Sequence, residues 1–262
     1  MAVKVNHMTL ICEGRCGRGR VRGTNQDNLF INGKWRTGHE DTVFCVSDTA
    51  EEGLYVVCDG MGGEQFGDEA SELAVTHLQD TTPADFLHGG TEHLIAINAE
   101  ICQLMMRRQA RIGSTFVGLS VVGGQGRIIN IGDSPAYLLR DGQMTKLSCD
   151  HTRTQSLINM GIITPEEAAV HPDRHKLTQH LGIFPEEMII EPHETDVPEL
   201  QVGDVFLLCS DGLTEMLTQS EIADVLSSND SLRLQADRLY ALAMDRGGKD
   251  NITLALVTVS AD

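Results

Sequence analysis

Short apolar runs of strand length punctuate the chain: VFCVS at 43–47, LYVVC at 54–58, STFVGLSVV at 114–122, RIINI at 127–131, AYLLR at 136–140, VFLLC at 205–209 and ITLALVTV at 252–259. Turn residues separate several of them, so they read as strands. GGQG at 123–126 and the Asp-Gly of RDGQ at 140–143 predict tight hairpin turns. Two such links in succession make the joined strands antiparallel. Elsewhere the apolar period becomes helical. Ala70, Leu73, Ala74 and His77 share a face within 67–80, with Asp68 and Glu69 in the first turn, where the helix dipole favours them. Leu94, Ile97, Ile101, Leu104 and Met105 share a face within 91–108. TPEE at 164–167 and TQSE at 218–221 have the form of capping boxes, and 231–245 predicts a third long helix. Residues 148–200, rich in His, Pro, Glu and Asp, read as a surface excursion with only short helices. Paired strands with helices grouped between them predict an α+β fold and not a repeating βαβ chain.

Length changes this picture little: 262 residues make one large domain or two small ones. Aromatics are only 4%, so the core must be aliphatic. A net charge of −18 argues against nucleic-acid binding through a basic face. It fits an ordinary acidic surface, or carboxylates clustered for metal cations. Seven cysteines, an odd number without C-x-x-C spacing, predict reduced thiols and a cytoplasmic protein. The opening MAVKVNHMTLICEG lacks the apolar core of a signal peptide, and no run suggests membrane insertion.

CEGRCGRGRVR, residues 12–22, contains Cys12 and Cys16 each at Cys-x5-Arg spacing from an arginine. A cysteine phosphatase needs a helix starting near that arginine, so that main-chain N–H groups face the phosphate. Here GTNQDN follows, a turn former. Cys12 and Cys16 are therefore expected to be ordinary thiols near a strand end.

Aspartates recur in a different context. Asp59 follows an apolar run in VVCDGMGG, Asp211 does so in LLCSDGL, Asp250 precedes the last strand in GGKDNIT, and Asp27 sits in the turn NQDN. Strand-end carboxylates can converge from distant parts of a chain, and Gly60 leaves its carbonyl approachable. Oxygen donors of this kind suit Mg²⁺ or Mn²⁺. Without cations the carboxylates would repel one another.

These residues resemble the bacterial form of the metal-dependent protein phosphatases of type 2C, from about Gly19 to Val259, with motifs in the family's order. The carriers are VRGTNQDN, VVCDGMGGEQFGDEAS, GSTFVGL, INIGDSPAYLLRDGQMTKLSCDHT, FLLCSDGLTEML and GGKDNITLALV. LINMGIITPEEAAVHPDRHKLTQHLG is similar to the family's flap. The resemblance implies one domain over 1–262, with a flap-like segment at about 152–182. The implied fold is a four-layer α-β-β-α sandwich: two antiparallel sheets face to face, flanked by helices. It implies a serine/threonine protein phosphatase using two divalent cations, Mn²⁺ or Mg²⁺. Asp27, Asp59, Gly60, Asp211 and Asp250 would be the metal residues, with Asp59 bridging and also catalytic. Arg22 would bind phosphate. A metal-bridged water would attack the phosphorus in line without a phosphoenzyme. The implied partners are phosphorylated proteins and the Ser/Thr kinase that makes them, and the implied state is a monomer.

Some positions depart from the family's pattern. No acidic residue lies between Ile101 and Gly113, where many relatives carry an aspartate associated with a third metal. A third metal is therefore not expected unless other residues build its site. Pro135 replaces the usual arginine after Gly-Asp-Ser, Met61 stands where eukaryotic relatives have a histidine, and Glu64 where many bacterial ones do. No histidine pair has convincing zinc spacing, so His77, His93, His171, His175 and His180 are expected to serve surface or flap packing. A rival function is phosphoprotein binding without catalysis; the full set from Arg22 to Asp250 speaks for activity. A hydrolase of small phosphate esters is another, separable by comparing rates on peptides and esters.

Overall fold

The computed structural model describes residues 8–38, 42–62, 66–197 and 199–261; Glu64 lies outside them. Strands β1 (Met8–Gly17), β2 (Asp27–Ile31), β3 (Lys34–Trp35), β4 (Phe44–Ala50) and β5 (Gly53–Met61) come first. Helices α1 (Gly67–His77) and α2 (Pro83–Arg108) lead to β6 (Gly113–Ser114), β7 (Phe116–Val122), β8 (Gln125–Ile131), β9 (Ala136–Arg140) and β10 (Gln143–Lys146). Then follow α3 (Arg153–Asn159), α4 (Pro165–Ala169), β11 (His193–Val197), β12 (Val205–Cys209), α5 (Asp211–Thr214), α6 (Gln219–Leu226), α7 (Leu232–Asp245) and β13 (Ile252–Ala261).

Among the described residues one sheet runs β10-β9-β12-β13-β1-β4 and the other β11-β8-β7-β5-β2-β3, with β6 added beside β5. Every pairing is antiparallel. Strand alternation divides the side chains into layers. In β13, Ala255, Val257 and Val259 enter the core between the sheets, while Leu254 and Leu256 face the α5–α7 side with Leu239 and Ile222. In β5, Tyr55 and Val57 face the other sheet, while Leu54, Val56 and Cys58 pack with Phe86, Leu94 and Ile97 of α2. Three apolar layers between four layers of elements make the α-β-β-α sandwich.

Both expected hairpins are present. Val122 pairs with Gln125 and Arg140 with Gln143, and Gly123, Gly124, Asp141 and Gly142 all take positive φ as tight hairpin turns require. Other elements differ from expectation. Cys16 lies near the end of β1, as expected, but Cys12 lies in its middle. Two features disguise this strand. Gly14 faces the core where a Cβ would come within 2.6 Å of Ile31 Cδ1. Arg15 is buried, held by Glu13 and Asp237. The second helix begins at Pro83, not 91, with a Thr82–Asp85 capping box and a kink at Gly89. The 148–200 excursion also holds a strand, β11, paired with β8.

Segment 152–182 leaves and re-enters the fold at closely tied points. Thr152 bridges Leu177, Ser114 bridges Leu181, and Arg153 N donates to Lys176 O. Asn98, buried in α2, fastens the returning chain: its Oδ1 accepts from Gly182 N and Ile183 N, and its Nδ2 donates to Ile183 O. Removing it leaves three main-chain groups without partners, and each buried orphan costs about 1–3 kcal/mol. Asn98→Ala is expected to lower the unfolding free energy by about 3 kcal/mol, measured by urea denaturation.

Candidate active site

A cavity of about 370 Å³ opens where the ends of both sheets meet. Arg22, Asp59, Gly60, Asp211 and Asp250 all line it, with Met61, Thr115, Asp133, His175, His180 and Asn251. Asp59 and Gly60 come from the end of β5. Asp211 opens α5 directly after β12, and Asp250 precedes β13. Asp27 stands behind the cavity wall, paired in register with Asp59 and almost fully buried.

Loop 18–26 holds Arg22 at the mouth through Asn251, whose Nδ2 donates to Arg18 O and Thr24 O while its Oδ1 accepts from Gln26 N. Arg22 Nη2 meets Asp250 Oδ2 at 2.5 Å. Arg36, buried under the same loop, donates to the carbonyls of Asn25, Asp27 and Gly38. Asp59 is held through its main chain: its N–H donates to Thr115 Oγ1 and its carbonyl accepts from Thr115 N. Gly60 sits so close to its neighbours that a Cβ there would lie 2.0 Å from Gly67 O. Pro135, in place of the family's arginine, accepts from Cys209 N through its carbonyl.

The electrostatics are those of crowded carboxylates. Burial first, then Asp27, Asp211, Asp133 and Asp250, push the Asp59 carboxyl well above its ordinary range. Asp211 is raised by burial and then by Asp133, Glu215 and Asp250. Burial is the main cause for Asp27, pushed up to about 6 although Ser210 Oγ donates to its Oδ2, and for Asp133, also pushed up to about 6. Asp27 Oδ1 and Asp211 Oδ1 are buried without any hydrogen-bond partner. Orphan carboxylate oxygens among mutually repelling acids fit a cationic occupant, and an oxygen donor set fits Mg²⁺ or Mn²⁺.

The cysteines contribute nothing of this kind. Burial raises Cys12 well above its ordinary range and Cys16 to about 11, so neither is a ready thiolate.

Asp133 and His175 are among the cavity residues outside the expected set. Asp133 follows β8 in the same strand-end position as the other aspartates. His175 comes from the flap-like segment, with Nε2 at 3.4 Å from Glu215 Oε1. Asp133, His175 and Asp211 each offer a ligand atom within 4.8 Å of the others. The packing role expected for His175 therefore gives way to a place in the cavity. A strand-end aspartate after an apolar run, NIGDS, was the available signal for Asp133; nothing local marked His175.

These shifts predict a pH dependence. A folded pKa raised above the unfolded value means the native chain holds more protons between the two, so stability falls as pH rises through that window. For Asp27 the window runs from about 4 to about 6. In chelator-treated protein, the stability difference between wild type and Asp27→Asn should shift against wild type from pH 4 to 7, by up to about 3 kcal/mol. Thermal unfolding across that range checks it. Mn²⁺ should stabilise wild type more at pH 7.5 than at pH 5, because binding must displace protons.

The family model described as protein phosphatase 2C matches residues 36–243. Protein phosphatase PhpP of Streptococcus pneumoniae is 35% identical over 238 residues, covering 88% of this chain and 95% of that one. The crystal structure of the Mycobacterium tuberculosis serine/threonine phosphatase PstP/Ppp superposes with a TM-score of 0.80 at 32% identity, covering 96% of this chain and 99% of that one. A structure of the PstP catalytic domain in complex with two manganese ions gives a TM-score of 0.76 at 32% identity, covering 97% and 99%.

Proposed function

We propose, given that this chain belongs to the protein phosphatase 2C family, that Arg22, Asp27, Asp59, Gly60, Asp211 and Asp250 are the working parts of its active site. The chain is a divalent-metal-dependent serine/threonine protein phosphatase, a hydrolase acting on phosphoproteins. The observation that carries the assignment of residues is the cavity in which a guanidinium and three strand-end aspartates face one another, with a buried carboxylate oxygen of Asp211 lacking a partner.

Asp59, Gly60, Asp211 and Asp250 would hold two cations, with Asp27 supporting them from behind. When bound, such ions lower the pKa of water and hold phosphoryl oxygens. The chain's own groups do the rest. Arg22 presents a planar fork to two phosphoryl oxygens at the cavity mouth, where its charge offsets that of the transition state. Thr115 and Asn251 fix the main chain on either side, so the carboxylates need not reorganise during turnover. Met61, on the wall, has no proton to give, so the leaving alkoxide must take one from water.

The finer reading is one phosphatase domain over 1–262, with 152–182 as a flap contributing His175, Leu177 and His180 to one rim. It extends to a monomer in the cytoplasm that opposes a Ser/Thr kinase. Among the described residues no helix is long and apolar enough to cross a membrane.

A phosphothreonine peptide should release phosphate with Mn²⁺, more weakly or equally with Mg²⁺, and not with chelator. Comparison with a small aryl phosphate separates the protein phosphatase from an ester hydrolase by kcat/KM. No turnover by folded protein at any Mg²⁺ or Mn²⁺ concentration would falsify the active-site reading and favour phosphoprotein binding.

A further inference from the structure

On the outer face, away from this cavity, α1 and α2 bring two histidines and a glutamate together. His77 is the last residue of α1; His93 and Glu100 lie two turns apart on α2. His77 Nδ1 meets Glu100 Oε1 at 2.8 Å, and His77 Nε2 faces His93 Nδ1 at 3.5 Å. The rings meet nearly edge-on, with centroids 5.6 Å apart, and His93 stacks on buried Phe86.

A nitrogen–nitrogen distance of 3.5 Å is long for a hydrogen bond, whose usual length is about 2.9–3.0 Å. It is close to the roughly 3.3 Å that separates two imidazole nitrogens on one tetrahedral zinc ion. The glutamate is placed as the outer partner of a zinc-ligating histidine usually is: it accepts from Nδ1–H and leaves Nε2 as the free lone pair. We propose that His77 Nε2 and His93 Nδ1 chelate one zinc-type divalent cation that ties α1 to α2, with Glu100 orienting His77. Water would complete the coordination, since both rings are only half-buried. Burial and then His77 lower the His93 pKa, against Asp85 and Glu92, in the direction that favours the neutral, ligating imidazole. Imidazole donors select Zn²⁺, Ni²⁺ or Cu²⁺ over Mg²⁺, so this site differs in chemistry from the oxygen-rich cavity and does not rest on its assignment. The two histidines are sixteen positions apart in sequence, which hides the pair from any spacing rule.

The test is Zn²⁺ titration of the whole protein by calorimetry in excess Mg²⁺. Wild type should bind a Zn²⁺ that His77→Gln and His93→Gln bind at least tenfold more weakly. Glu100→Gln should weaken it by about 10-fold or more, and His175→Gln should retain it. Mg²⁺-supported phosphatase activity should persist in His77→Gln, His93→Gln and Glu100→Gln. A Zn²⁺ isotherm unchanged in His77→Gln and His93→Gln overturns the proposal. Should either substitution prevent folding, long-range ¹H–¹⁵N spectra of the unsubstituted protein decide it. Displacement of the His77 and His93 ring-nitrogen signals on adding Zn²⁺ supports the site, and their remaining fixed at saturation overturns it.

Discussion

Asp59→Asn should lose phosphopeptide hydrolysis by about 10³-fold or more in saturating Mn²⁺, while the metal-free protein becomes more stable than wild type at pH 7. The substitution keeps the shape of the side chain and removes one negative charge. Asp59 lies within the field of Asp27, Asp211, Asp133 and Asp250, all of which raise its pKa. Removing its charge relieves that repulsion, so the empty protein gains stability. The same change removes a carboxylate from the centre of the metal residues, and metal assistance is worth several kcal/mol, or on the order of 10³ in rate. The main-chain hydrogen bonds to Thr115 remain, because they do not use the carboxylate. A thermal scan with chelator and a rate assay with Mn²⁺ are read together. Lost activity with lowered stability would mean only a damaged fold.

Gly60→Ala should be severely damaging for a change of a single methyl group near the site. The new Cβ would lie 2.0 Å from Gly67 O and 2.5 Å from Gln26 O. Both are main-chain atoms, so no flexible side chain can yield. Gly60 N also donates to Gln26 O at 3.0 Å, which pins the strand end where it is. Relief requires moving α1 or the loop carrying Gln26, and with them the carboxylate of Asp59. Overpacking of this kind costs about 3 kcal/mol or more. Urea denaturation should show that loss, and Mn²⁺ should no longer restore the rate. Gly23→Ala, on the same side of the molecule, meets nothing within 4 Å and should be nearly silent.

Turns and helix starts were legible where local chemistry and period agreed, whereas the four-layer arrangement was implied only by the family resemblance. Asp141-Gly142 has the left-handed conformation its turn needs, and the boxes at Thr164 and Thr218 cap the helices they announce. The four strand-end aspartates and Arg22 were legible as types, and the cavity gathers all but Asp27, which lies behind its wall. What escaped was set by tertiary contact. Strand β1 is missing from the apolar runs because Gly14 is small to admit Ile31 and Val46, and because Arg15 is buried against a partner far along the chain. The Gly89–Gly90 pair hides the first turns of α2. Strand β11 has an apolar content too low to stand out, because it lies at a sheet edge with part of its surface in water. Arg36, Asn98 and Asn251 act on main-chain carbonyls and amides of distant loops, which no spacing rule marks. His175 reaches Asp133 only because the 152–182 segment doubles back at Leu177.

The pairing of β1 with β13 along its whole length, from Met8 with Ala261 to Gly17 with Ile252, governs how this enzyme comes into being. These strands lie side by side in the middle of their sheet, flanked by β4 and β12. During synthesis β1 waits for β13, with one of its edges unpaired. Contacts this distant in sequence make for slow, late-closing folding and for a partly built chain prone to aggregate. Asp250 arrives just ahead of β13. A ribosome-bound chain lacking it should neither dephosphorylate nor retain metal, so catalytic competence appears in one step, on closure of the sheet.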